Sequence, residues 1–266
     1  MASDSASTAT TLSGIGAILQ ALAWPLTVVL FLLLFRGRLG LILDVLAQKL
    51  KEAKRVKAGQ VEIDTAEEIV RVLNKAGEEA KAEKLEKNIP QHQIQAANLV
   101  QERLAAAPIA YSQKLDVIYK QMYDLVEQYE TTRRELPSGP RRTRSMNEIA
   151  AKMRALSIVA RPLLPTLMAG KTHGERLAAI CILQVEPELG YFDWLIDRIL
   201  QEDQPFILFH AALAVLELVK THPYLKPEIA RQLIGRALTR VSSFEGGTPD
   251  QNTIDVLNQA LSLLGS

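Results

Sequence analysis

The amino-acid sequence predicts an all-α protein attached to a membrane by one transmembrane helix. Apolar residues recur at spacings of three and four along most of the 266 residues, and aromatic residues make up only 5%, which favours helices over a β-sandwich or barrel. An uncharged apolar run near the N-terminus predicts the membrane span. The 31 Lys and Arg residues nearly balance the 30 Asp and Glu residues, so we expect no nucleic-acid partner.

The transmembrane helix is predicted at residues 13–35. From Ile15 to Phe35 the chain has 21 residues without a charge, and a helix of that length spans about 30 Å, the thickness of a bilayer core. Residues 1–12 contain one Asp and no Lys or Arg, unlike the basic start of a signal peptide. We expect these twelve residues to be disordered.

A basic segment, predicted as an amphipathic juxtamembrane helix, follows the span at residues 36–58. Because positive charge next to a span stays on the cytoplasmic side, we expect a single-pass protein of the inner or plasma membrane with its N-terminus outside. The segment either lies on anionic membrane lipid or continues the span into solvent. The residues that orient the protein are Arg36, Arg38, Lys49, Lys51, Lys54, Arg55 and Lys57.

A helical stalk is predicted at residues 59–136, with helices at 66–88 and 91–107 and a third from Pro108 onward. The third helix carries an apolar stripe whose members are 4, 3, 4, 3 and 4 residues apart, a heptad pattern. The stripe predicts either a coiled-coil seam of a homo-oligomer through residues 108–136 or an antiparallel hairpin with residues 91–107. Its members are Tyr111, Leu115, Ile118, Met122, Leu125 and Tyr129.

Residues 137–145 are predicted to be a linker, because prolines, a glycine and three arginines occur here without apolar periodicity. Exposed Arg141, Arg142 and Arg144 would suit a protease, or would keep a linker soluble.

Residues 146–266 are predicted to form a domain of short helices separated by Pro and Gly. AAICIL at 178–183 matches AALAVL at 211–216 at an offset of 33, and LIDRIL at 195–200 matches IARQLI at 229–234 at an offset of 34. This period and apolar pattern resemble HEAT-like helix pairs. The resemblance implies a short stack of helix pairs that binds a protein partner through residues 146–266.

A second resemblance concerns the whole arrangement of span, basic helix and helical domain. Together with GERLAAI, DWL and PFILFHAALAVL, it is similar to uncharacterised bacterial membrane proteins, some of them linked with conflict or defence systems. The resemblance transfers no catalytic residue to this chain.

The search for chemistry predicts no catalytic, cofactor-binding or metal-binding residue. Cys181 lies among Ala, Ile and Leu and is expected to be a buried apolar group, and His210 is expected in the core with one hydrogen bond. The aromatic residues of the C-terminal domain form either core or a groove for a partner peptide. The groove candidates are Tyr191, Trp194, Phe206 and Phe209.

These observations predict a membrane-anchored, non-enzymatic adaptor that presents a protein-binding helical domain at the cytoplasmic face. The alternative is a membrane-perturbing effector of a bacterial defence system, activated by oligomerisation or by partner binding or cleavage. An enzyme is a third class that no motif supports.

Overall fold

The structure, a computed structural model, describes residues 62–80, 87–222, 224–243 and 250–265. The chain divides into two compact units, Met1–Gly59 and Gln60–Ser266, and every described residue belongs to the second. The predictions made for residues 1–12, 13–35 and 36–58, including the seven orienting basic residues, therefore lie outside the described residues.

Among the helices of the described residues, none combines the length and the apolar character needed to cross a membrane.

The prediction of an all-α fold is confirmed, because every regular element within the described ranges is a helix. Residues 62–80 are helical and are called α1. Two short 3-10 turns, Arg161–Leu163 and Leu189–Tyr191, lead into α5 and α7. The remaining helices are α2 (Gln91–Ala106), α3 (Tyr111–Glu135), α4 (Pro140–Leu156), α5 (Leu164–Met168), α6 (His173–Val185), α7 (Phe192–Gln201), α8 (Pro205–Thr221), α9 (Pro227–Ser242) and α10 (Gln251–Leu263).

The even-numbered helices make consecutive contacts: α2 packs on α4, α4 on α6, α6 on α8 and α8 on α10. The odd-numbered helices cover this row, with α3 on α4 and α6, α7 on α8 and α9, and α9 on α10. The two predicted repeat pairs are thus neighbours, since α6 contacts α8 and α7 contacts α9. The resemblance to HEAT-like repeats stays a prediction.

Helix α8 lies at the centre of the core. Its sequence PFILFHAALAVLELVKT is apolar on all sides, and ten consecutive residues, Ile207 to Leu216, are buried. A helix without a polar face must be covered all round, which explains its contacts with α6, α7 and α10. Ala211 and Ala212 are fully buried, as are Ala178 and Ala179 of α6, so small side chains let these two helices approach closely.

Local sequence signals set the beginnings of several helices. Thr172 and Glu175 have the spacing of a capping box, and the structure forms it: Thr172 Oγ1 accepts a hydrogen bond from the Glu175 amide at 3.2 Å, and Glu175 Oε2 accepts one from the Thr172 amide at 2.9 Å. The hydrogen bonds that the Glu175 carboxylate accepts from the Thr172 amide and hydroxyl lower its pKa. Pro205 and Pro227 occupy first helical positions, where their missing N–H costs nothing.

The predicted separation of stalk, linker and C-terminal domain needs correction. Helix α4 already begins at Pro140, so Arg141, Arg142 and Arg144 belong to a helix and not to an extended linker. Gly139 makes the tight reversal between α3 and α4 with a φ of 148°, a conformation that side chains disfavour. Because α2 packs on α4, and α3 on both α4 and α6, the described part of the stalk is integral to the same unit.

The predicted oligomer seam on α3 also needs correction. Ile118, Met122, Leu125 and Tyr129 are buried in the chain's own core, against α4 and α6, whereas Tyr111 is 70% exposed and Leu115 half-buried. The stripe does not pair with α2 as a hairpin either, because α2 packs on α4. A regular apolar stripe reports that a helix face is covered, but not which partner covers it.

Candidate binding cleft

A cleft of about 290 Å³ lies where the last turn of α3 meets the first turns of α4 and α8. We call it the arginine cleft. Its lining combines cationic, aromatic and polar side chains, namely Arg133, Arg142, Thr143, Met146, Gln204, Pro205, Phe206, Phe209 and Asp250.

Two guanidinium groups give the cleft its charge. Arg133 lies over the ring of buried Tyr129, with 6.0 Å between the guanidinium carbon and the ring centre. Arg142 donates to Ser138 Oγ at 2.5 Å and to the Leu136 carbonyl at 3.4 Å. Within the described residues, neither arginine forms an ion pair with a carboxylate. Both are half-buried and line the cleft, whose described lining contains one carboxylate, that of Asp250.

Phe206 and Phe209, three residues apart on one face of α8, form the apolar wall. Phe209 is 2% exposed and belongs to the core, while Phe206 is half-buried and stays accessible. The Phe206 ring lies 6.0 Å from the Tyr129 ring and 4.5 Å from the His210 ring. This packing on both sides fixes the wall, so an incoming apolar group would meet a preformed surface.

The helix ends around the cleft add to the positive potential. Neither α4 nor α8 has a side-chain cap, and the first turn of each lacks an acidic residue. Helix N-termini favour negative charge, so Arg141 and Arg142 in the first turn of α4 are electrostatically unfavourable there. Asp250 supplies a carboxylate at the cleft, but it caps α10 through the Asn252 amide at 3.1 Å and the Thr253 hydroxyl at 2.6 Å.

The predicted aromatic groove is only partly assembled. Phe206 and Phe209 line the arginine cleft, but Tyr191 and Trp194 do not. Each of those two half-buried rings instead packs under its own arginine: Arg161 lies 5.5 Å from the Tyr191 ring centre, and Arg198 lies 5.6 Å from that of Trp194. The four residues therefore do not share one groove.

A second polar cluster forms around Glu202 and Asp203, between α7 and α8. Glu202 is 2% exposed and accepts a hydrogen bond from Arg176 Nε at 2.8 Å and one from the Asp203 amide at 3.2 Å. His173 Nε2 lies 3.6 Å from Glu202 Oε1 and 3.4 Å from Asp203 Oδ1. One donor atom from each of these three side chains lies within 4.8 Å of the others, close enough for a cation. Arg176 already neutralises Glu202, and we assign no metal here.

A third polar group is buried between four helices. Arg154 of α4 donates from Nε to Gln93 of α2 at 2.5 Å and from its terminal nitrogen to Gln184 of α6 at 2.9 Å. Gln184 Nε2 lies 3.2 Å from His210 Nδ1 of α8. Burial, assisted by the charge of Arg154, holds the pKa of His210 well below its ordinary value, so the ring stays neutral.

Cys181 is buried, as its apolar neighbours predicted. Burial raises the pKa of its thiol to about 11, which keeps the sulfur protonated and unreactive at neutral pH.

Sequence reasoning overlooked both polar clusters that border α8. Arg133 was assigned to the predicted stalk and Arg142 to the predicted linker, and His173 lies 30 residues from Asp203. One usable signal was present for the cleft: three arginines and no acid at the beginning of a helix contradict the usual charge preference. Such a conflict between local preference and sequence points to a site.

Comparison of the chain with protein-family models, with curated proteins and with solved structures finds no match in any of the three.

Proposed function

We propose that this protein is a membrane-anchored, non-enzymatic adaptor whose helical unit binds a protein partner at the arginine cleft. The observation that carries the proposal is the cleft itself: a preformed apolar wall beside two guanidinium groups that no described carboxylate neutralises. Arginines and aromatic residues together are typical of the centres of protein interfaces.

Membrane attachment is supported by the sequence. The uncharged run at 13–35 is long enough to span a bilayer, and the basic residues at 36–58 would hold the following chain on the cytoplasmic side. A surface-tethered binding unit confines its partner to the membrane, which raises the local concentration of that partner.

The proposal can be tested with the full-length protein in its native cells. Benzoylphenylalanine in place of Gln204, whose side chain caps nothing, puts a photo-crosslinker at the cleft rim. We expect ultraviolet light to produce a discrete adduct with another protein in the membrane fraction that resists alkaline carbonate. Mass spectrometry of the adduct then identifies the partner.

Two matched double variants test whether formation of the adduct depends on the cleft arginines. Arg133→Gln/Arg142→Gln should abolish it, while Arg134→Gln/Arg141→Gln should retain it, because the second pair removes the same charge from neighbouring exposed positions outside the cleft. An adduct that survives both pairs would contradict a binding role for the cleft. Complete extraction by alkaline carbonate would contradict the membrane anchor.

A further inference from the structure

Resting on the proposed function, we infer that the arginine cleft binds an extended acidic segment of the partner protein. In this arrangement an aromatic or aliphatic side chain of the segment lies against Phe206, and a neighbouring carboxylate pairs with Arg133 and Arg142.

Charge complementarity selects an acidic partner. Two guanidinium groups against the single carboxylate of Asp250 leave the cleft with a net positive charge. Asp250 accepts hydrogen bonds from the first turn of α10, and among the described residues it forms no ion pair with either arginine, although its charge still competes with that of a ligand. The uncapped beginnings of α4 and α8 also favour an anion. A carboxylate in the cleft would relieve the unfavourable position of Arg142.

The size of the cleft selects an extended segment. An α-helix with its side chains is about 10 Å wide and needs a long groove. A volume of about 290 Å³ accommodates an apolar side chain with an adjoining anionic group. The half-buried Phe206 ring supplies the apolar contact, and its packing against Tyr129 and His210 prevents it from swinging away.

The choice of arginine fits carboxylate recognition. The planar guanidinium group offers paired N–H donors that match the two oxygens of a carboxylate. Arg142 is held in place by uncharged acceptors, Ser138 and the Leu136 carbonyl, and so retains its full charge for a ligand. Arg133 is held by the Tyr129 ring.

The experiment is a selection from a random heptapeptide library displayed on phage, against full-length protein in detergent micelles. We expect the selected sequences to combine Asp or Glu with an aromatic or large aliphatic residue. The same selection on Arg133→Gln/Arg142→Gln should lose that enrichment, and selection on Arg134→Gln/Arg141→Gln should keep it.

A selected peptide, labelled with fluorescein, then measures the effect by fluorescence anisotropy. We expect the cleft double variant to bind at least about tenfold more weakly, as for loss of a charge-assisted hydrogen bond. The control pair should stay within about twofold. Asp250→Asn keeps a capping side chain but removes the competing charge, so it should bind more tightly. Raising NaCl from about 50 to about 300 mM should weaken binding to the wild type.

Three outcomes would overturn the inference. Enriched peptides without acidic residues would show that charge does not select the partner, and equal affinity for both double variants would show that the cleft arginines do not hold it. Displacement of all peptides by inorganic phosphate, with no acidic sequence enriched, would indicate a small-anion site instead. If the photo-adduct depends on the cleft arginines but the peptides are not acidic, the inference fails while the adaptor proposal stands.

Discussion

Residues 202–206, which lead into α8, border two polar clusters of opposite character. In the first cluster, Arg176 and buried Glu202 neutralise each other at 2.8 Å, and His173 and Asp203 complete the cluster. In the second, Arg133 and Arg142 line a cleft and form no ion pair with a carboxylate among the described residues. The compensated cluster stabilises the segment, whereas we propose that the uncompensated one binds a ligand. On this proposal, similar side chains serve stability in one place and recognition in the other.

The largest expected effect comes from breaking the compensated cluster. Glu202→Gln leaves Arg176 without its counter-ion in a mostly buried position and should lower the free energy of unfolding by about 3 kcal/mol. Asp124→Asn removes the carboxylate of the exposed Lys120–Asp124 pair and should cost less than about 0.5 kcal/mol. Urea unfolding of the full-length protein in micelles, followed by far-UV circular dichroism, measures both. Equal losses would mean that burial does not distinguish the two carboxylates.

The next prediction concerns the pH dependence of the free energy of unfolding, to which buried His210 contributes. Because the folded state holds His210 neutral, only the unfolded state takes up a proton at this residue as the pH falls below the ordinary histidine pKa of 6.5. Its contribution to stability is thus complete above pH 6.5, and is lost below it with a slope approaching about 1.4 kcal/mol per pH unit.

His210→Gln should remove this part of the pH dependence, although it also lowers stability at neutral pH through the disturbed contact with Gln184. Urea unfolding at a series of pH values checks the slope. A slope that is unchanged in the variant would assign the acid sensitivity to other groups.

A smaller effect concerns Asp250, which caps α10 and also lines the arginine cleft. Asp250→Ala removes the cap of α10 and should cost about 1 kcal/mol, whereas Asp250→Asn should retain most of the stability. Thermal unfolding of the two variants tests this difference. If both lose the same stability, the carboxylate charge, and not its hydrogen bonds to Asn252 and Thr253, supports the helix.

The smallest effect on stability is expected where the effect on binding is largest. Arg133→Gln/Arg142→Gln should lower the free energy of unfolding by less than about 1 kcal/mol, since it breaks no ion pair among the described residues. Loss of the Arg133–Tyr129 contact and the Arg142 hydrogen bonds is partly offset by removing a cation from the first turn of α4. Urea unfolding beside Glu202→Gln makes the comparison direct. A loss as large as that of Glu202→Gln would assign these arginines to the fold.

The helices themselves could be predicted from the sequence, because apolar spacing, capping boxes and N1 prolines act within a few residues. Helix α9, for example, begins at Pro227, a residue favoured at the first helical position. The assignment of α3 could not be predicted, since Met122 and Tyr129 would look the same in a seam between subunits. The cleft could not be predicted for another reason. It combines Arg133, Arg142 and Phe206 from three helices, and only tertiary packing brings them together.

The row of even-numbered helices, in which each packs on the next, affects how the unit loses structure. Helix α6 packs on α3, α4, α5 and α8, whereas α10, at one end of the row, packs chiefly on α8 and α9. In such a nearly one-dimensional arrangement each helix depends on its immediate neighbours, so partial opening begins at an end and proceeds inward. Fraying of α10 would carry Asp250 away from the cleft rim while Arg133, Arg142 and Phe206 stay in place. In this way α10, the last of the described helices, is an adjustable border of the arginine cleft.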